Sequence, residues 1–195
     1  SLSSEGQLNR LQDTDSLVAS VRGCQQFTAL RARLAGGGDK TIAEASLDLS
    51  LAGDERPRYS LFLTERTQPS NLMFAAFIVP QGREVEWMFS TAEGRSQLAD
   101  SASCARLVVV HLARDNAFTS LTQIQDELAG TVLELAPDNL PARYQVPFLT
   151  AGTEQVGERL ERCRGQSSLS GQYVVEDVCL GESWVRRLIF LSRPH

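Results

Sequence analysis

Residues 72 to 79, Leu-Met-Phe-Ala-Ala-Phe-Ile-Val, form an unbroken apolar run between the polar loop through Pro69-Ser70-Asn71 and the breaker Pro80-Gln81-Gly82. Side chains of a strand alternate between two faces, so a strand that is apolar at every position must be covered on both sides. This run is therefore expected to be a central strand. Arg106-Leu107-Val108-Val109-Val110-His111-Leu112, β-branched and nearly all apolar, makes the same demand. Neither run approaches the roughly 18 apolar residues of a membrane span, and no membrane partner is expected.

Around these two strands the pattern changes period several times. The first 14 residues are largely polar and are read as a flexible segment. Asp15 and Ser16 are competent helix caps, and Leu17, Val21, Cys24, Phe27, Leu30 and Leu34 then recur at helical spacing until Gly36-Gly37-Gly38. Leu47, Leu49 and Leu51 alternate with polar residues, as do Tyr59, Leu61 and Leu63 after the turn at Gly53-Asp54-Glu55-Arg56-Pro57. Glu84-Val85-Glu86-Trp87-Met88-Phe89 reads as extended, so the stretch before residue 90 is expected to be a helix followed by an antiparallel meander. Thr91 caps a short helix to about Ala102, although Gly94 in its first turn disfavours one. Ser120-Leu121-Thr122-Gln123 matches a capping box that opens a second helix through Leu121, Ile124, Leu128, Val132 and Leu135 to Pro137. Val146-Pro147-Phe148-Leu149 suits a short edge strand, residues 151 to 170 are polar and weakly patterned, and 172 to 191 form a hairpin turning at Leu180-Gly181-Glu182-Ser183. The expected fold class is α+β: a mixed, largely antiparallel sheet with flanking helices, joined by a C-terminal β-hairpin.

The 195 residues suit one domain, at about 150 residues for a typical one. Lysine and arginine total 19 against 24 acidic residues, a net charge of −5, and a single lysine, Lys40, stands beside 18 arginines. A net acidic surface is poorly suited to neutralising phosphates, so nucleic acid is not an expected partner. Cys24, Cys104, Cys163 and Cys179 lie far apart without zinc-ligand spacing, so no metal site is expected and the cysteines read as small hydrophobes in a reducing compartment. With no signal-peptide pattern at the start, the expected location is cytoplasmic. The opening at Ser1 rather than methionine suggests a piece of a longer chain.

Each candidate for chemistry has a plainer structural reading. Gly36-Gly37-Gly38 follows a helix and precedes a strand, the reverse of a phosphate-cradling loop, and no GxGxxG occurs. His111 sits inside an apolar strand, His195 is terminal, and Gln-Ser-Ser-Leu-Ser-Gly at 166 to 171 lacks a nucleophile elbow. Glu84 and Glu86, two apart on an extended segment, would share a face as a carboxylate pair, whereas Glu176 and Asp177 would point to opposite faces. The densest mixture of turn, charge and aromatic character is Pro80 to Trp87. Arginine and tryptophan are favoured interface anchors, which makes Arg83, Glu84 and Trp87 the candidate contact residues.

Several blocks, taken together, resemble one family. They are Phe77-Ile78-Val79-Pro80-Gln81-Gly82-Arg83-Glu84-Val85-Glu86-Trp87, Glu93-Gly94-Arg95-Ser96-Gln97-Leu98-Ala99, Glu134-Leu135-Ala136-Pro137, Gln145-Val146-Pro147-Phe148-Leu149, Ser170-Gly171-Gln172-Tyr173-Val174-Val175-Glu176-Asp177-Val178 and Arg186-Arg187-Leu188-Ile189-Phe190-Leu191-Ser192. In order, over roughly residues 15 to 193, they resemble the elongation-factor-1-alpha lysine and N-terminal methyltransferases, the methyltransferase-like protein 13 family. The resemblance implies a parent with two S-adenosylmethionine-dependent domains, one at each end, that methylate a lysine and the N-terminus of the elongation factor. It further implies that residues 15 to 193 are a single middle domain between them, holding no catalytic, cofactor-binding or metal residue of its own. The hairpin at 172 to 191 is similar to the start of the β-region that precedes a spermidine-synthase-like catalytic domain. The function so implied is noncatalytic: to position the flanking methyltransferase domains, with substrate docking or self-association as further roles. Two alternatives stand beside it. One is an enzyme using His111 or the Glu84/Glu86 pair with an unrecognised cofactor loop, and the other is a stand-alone protein-binding module.

Overall fold

The computed structural model describes residues 28, 45–50, 56–66, 69–151, 156–180 and 182–191. The polar opening segment, the helix expected from Asp15 (apart from Thr28, which is helical) and the glycine triplet lie outside the described residues. Five strands, β1 (Ala45–Leu49), β2 (Tyr59–Glu65), β3 (Leu72–Ile78), β4 (Cys104–Leu112) and β5 (Phe148–Thr150), form one mixed sheet in the order β1-β2-β4-β3-β5. Three helices, α1 (Trp87–Ser90), α2 (Ala92–Ser101) and α3 (Leu121–Glu134), connect its parallel strands. A second, antiparallel sheet of β6 (Arg159–Ser167), β7 (Gly171–Leu180) and β8 (Ser183–Phe190) follows. The fold is α+β, and among the described residues four of the six strand pairs are antiparallel.

The doubly apolar runs take the interior positions, as their composition requires. Along β3, Phe74, Ala76 and Ile78 face α3, where Ile124, Leu128, Val132 and Leu135 complete one core. Ala75, Phe77 and Val79 (just beyond the strand) face the other way, against Phe89, Leu98 and Ala99 of the α1–α2 layer. Burying each large side chain of these clusters contributes about 1.5–3 kcal/mol, which ties both helical layers to the sheet. Both caps form where expected: the Thr91 hydroxyl accepts from the Gly94 amide at 3.0 Å, and that of Ser120 accepts from the Gln123 amide at 3.1 Å.

Three expectations are corrected. There is no β1-β2-β3 meander: β2 pairs with β4 (Leu61↔Val110), and β3 lies parallel to β4 (Ala76↔Val108) and to β5 (Phe77↔Leu149). Two strands that each need cover on both faces sit best side by side, and the α1–α2 connection is long enough for the parallel crossover this demands. Residues 84–89 are not extended. Turn bonds from Arg83 N–H to Pro80 O and from Glu86 N–H to Arg83 O lead into α1, whose helical twist buries Phe89 and leaves Trp87 outside. A one-sided strand would have put both on the same face.

The closing hairpin forms, with Leu180 opposite Ser183, but it does not join the five-stranded sheet. Its free edge at β7 is taken by β6, a strand invisible to apolar patterning. The backbone ladder and charged side chains hold β6, including Arg162, whose Nε donates to Asp177 at 2.7 Å.

Candidate functional site

Where β3 ends, the chain turns at Pro80-Gln81-Gly82 with Gly82 at φ +91°, a conformation that side-chain-bearing residues rarely adopt. The Gln81 amide donates to Val156 O at 2.7 Å, so this turn abuts the approach to the three-stranded sheet. In open α/β sheets ligands bind outside the carboxyl ends of parallel strands. Here the residues following β3 and β4 at those ends, Glu84 and Arg114, are ion-paired to Arg159 of β6 and Glu176 of β7.

The three candidate contact residues have separate fates. Arg83 donates through Nε and Nη2 to both carboxylate oxygens of Glu86, at 2.7 and 2.8 Å, and its guanidinium lies 5.2 Å from the Phe89 ring centroid. Those hydrogen bonds raise its pKa and commit the fork to an internal partner. Glu84 pairs with Arg114 and with Arg159, the latter at 3.0 Å, and its side chain is mostly buried. Trp87 alone is presented to solvent, 56% exposed beside the exposed Val85 and Met88. Glu84 and Glu86 thus turn to different arginines, Glu84 to Arg114 and Arg159 and Glu86 to Arg83, rather than to each other.

His111 is built into the packing. Its Nε2 lies 3.1 Å from Phe89 O, and its ring sits 4.8 Å from that of Phe62. Burial first, and then the Arg95 guanidinium, push its pKa down to about 4, so near neutrality the ring is uncharged and donates to the carbonyl. Arg95, itself buried over Phe62, donates to the same Phe89 oxygen, and together the two satisfy a carbonyl at the end of α1. Cys104 is buried and donates to Arg106 O at 3.0 Å, with burial raising its pKa, whereas Cys163 is exposed on β6. Among the described residues, no group of three or more His, Cys, Asp or Glu side chains is placed to hold a metal. Cys24 and His195 lie outside the described residues.

Glu176 and Asp177 take opposite faces of β7, as alternation requires. Asp177 looks outward and accepts from Arg162 and Arg186, each at 2.7 Å, which depresses its pKa far below the carboxylate range. Glu176 looks inward, 1% exposed, and accepts from Arg187 Nε at 2.8 Å and from Arg114. The hairpin register makes both cross-strand pairs, Glu176↔Arg187 and Asp177↔Arg186. The contributions of Arg114 and Arg159 escaped sequence reasoning, since nothing local links positions so far apart in the chain.

No family model matches the chain, and no solved structure matches it. Curated relatives do. The chain is 43% identical over 186 residues to the eEF1A lysine and N-terminal methyltransferase of Xenopus laevis, covering 93% of the chain and 26% of that protein. The identity is 42% over 187 residues to the Homo sapiens protein of the same name (94% and 26%), and 37% over 186 residues to the Drosophila melanogaster homolog (95% and 27%). Along nearly all of its own length the chain is thus similar to a stretch of proteins named eEF1A lysine and N-terminal methyltransferases, and it spans about a quarter of their length.

Proposed function

We propose that this chain is a noncatalytic middle domain of a cytoplasmic, S-adenosylmethionine-dependent protein methyltransferase acting on eEF1A, and that it fixes the relative placement of the flanking catalytic domains. The observation that carries this reading is the occupied carboxyl end of the parallel strands. Where an α/β domain ordinarily offers a crevice to a ligand, Glu84 and Arg114 are spent on Arg159 and Glu176 of the chain's own second sheet. The names of the relatives supply the methyl-transfer chemistry and the elongation factor as substrate of the whole protein. S-adenosylmethionine would then be held by parts of the parent outside this chain. Titration calorimetry of the 195-residue chain with S-adenosylmethionine is expected to give no saturable heat. Saturable micromolar binding would overturn the noncatalytic assignment, as would methyl transfer to eEF1A by the chain alone.

A second reading, a docking role toward the elongation factor, is favoured by the exposed Val85, Trp87 and Met88 on the α1 side. The net charge of −5 would assist association with a basic partner. Self-association through the same patch is the competing use of that surface, and sedimentation of the Trp87→Ala variant separates the two.

A further inference from the structure

Five charged side chains meet where the two sheets touch. Arg114, in the turn after β4, reaches Glu84 on its own side and Glu176 on the other. Arg159 of β6 crosses in the opposite direction, to Glu84 at 3.0 Å and to the Arg114 carbonyl oxygen, and its Nε lies 3.8 Å from Glu176. Arg187 completes the group from β8. Both bridging guanidiniums thus hold carboxylates of both sheets at once, an arrangement that the forked arginine permits and a point-charge ammonium does not. Glu176 and Arg159 are more than nine-tenths buried, so the bridges are shielded from water and salt.

Apolar contact across the same boundary runs through Val156, just before β6, which joins the core of the five-stranded sheet, whereas no residue of β6, β7 or β8 does. Val174 and Val178 on the inner face of β7 are buried, yet they belong to neither apolar cluster of the five-stranded sheet. The two sides approach closely: a Cβ on Gly82 would stand 2.8 Å from the Val178 side chain at Cγ1, and one on Gly157 would stand 2.8 Å from the backbone oxygen of Gln81. Each sheet keeps its own ladder, that of β6 and β7 with a register shift between Glu161 and Cys163. The Gln81 amide to Val156 carbonyl bond belongs to the boundary itself.

We infer that Glu84, Arg114, Arg159, Glu176 and Arg187 form an ionic latch that sets the three-stranded sheet at one angle on the five-stranded sheet. Opening the latch frees that sheet as a unit without dismantling either ladder. A joint made of charge rather than a shared apolar core can be undone by a competing charged group, whereas a fused core would have to unfold.

Residue-resolved hydrogen exchange on the full 195-residue chain tests this. In Glu84→Gln, which keeps shape and removes one charge, exchange of the Gln81 amide is expected to rise about tenfold or more, while Val108, Val110 and Val175 keep their protection. Arg114→Lys, which cannot fork to two carboxylates, is expected to give a smaller rise at the same amide. Unchanged Gln81 exchange in both variants would overturn the latch. So would an equal rise at all four amides, because the charges would then support the whole fold and not a separable joint. S-adenosylmethionine binding plays no part in this readout, so the latch and the noncatalytic assignment fail independently.

Discussion

Gly94 and Gly130 both lie inside helices, and replacing each in turn by alanine should shift stability in opposite directions. In a helix interior alanine is favoured over glycine by about 0.8–1.0 kcal/mol, because glycine loses more backbone freedom on folding. A Cβ at Gly130 meets nothing within 4 Å, so Gly130→Ala in α3 should gain nearly that full amount. At Gly94 the added Cβ would stand 2.2 Å from Trp87 O and 2.6 Å from Met88 Cα, backbone atoms of α1 that cannot rotate away. The variant must push α1 aside, and α1 carries buried Phe89 together with the carbonyl that His111 and Arg95 share. Overpacking of this kind costs about 1–3 kcal/mol, and rigid backbone puts this case at the upper end. After subtracting the propensity gain, Gly94→Ala should lose about 2 kcal/mol. Urea unfolding followed by tryptophan fluorescence reads both variants, since Trp87 lies on α1 itself. The expected spread between their stabilities is about 3 kcal/mol. A neutral or stabilising Gly94→Ala would refute the close crossing of α1 and α2, and a destabilising Gly130→Ala would refute the open face assigned to that part of α3.

Two further outcomes follow from the site. The folded pKa of His111, about 4, lies below its ordinary 6.5, so the unfolded chain binds the extra proton and stability should fall as pH drops from 6.5 toward 4.5. The loss is about 2–3 kcal/mol over that window; denaturation midpoints of His111→Gln against pH should be flatter, and an equally steep profile would exclude His111 as the source. Trp87→Ala should alter stability by less than about 0.5 kcal/mol, as an exposed substitution, while weakening capture of eEF1A in a pull-down. Undiminished capture would remove the patch from consideration.

Much of the five-stranded sheet was legible because burial writes itself into composition. Residues 72–79 and 106–112 declared interior strands, Thr91 and Ser120 declared helix starts, and the proline at 147 marked an edge. Pairing was less legible, because apolarity on both faces says that a strand is interior without saying which neighbour it takes or in which direction. β6 was invisible for the opposite reason: Arg159, Glu161, Arg162 and Arg164 are held by ion pairs and backbone bonds, so no hydrophobic period betrays them. Gly94 was weighed as a helix breaker, although its missing side chain is what lets α1 cross α2. The site divides in the same way. Once Leu180 is set opposite Ser183, the hairpin pairs Glu176 with Arg187 and Asp177 with Arg186 by counting alone. That Glu84 and Arg114 would join them depends on how two sheets meet, and the pairing of Arg83 with Glu86, only three residues away, is a local one.

The paired charges of the hairpin also make it intolerant of misalignment. Sliding β8 by one residue along β7 in one sense would set Glu176 opposite Arg186 but leave Asp177 opposite Val185. In the other sense Asp177 would meet Arg187, and Glu176, the carboxylate turned to the interior, would meet Leu188. Either slip strands one acid against an aliphatic side chain, and strand pairing can be off by one only at the cost of turning a whole set of side chains to the wrong face. Two adjacent acids facing two adjacent arginines thus act as a proofreading device for the assembly of the second sheet.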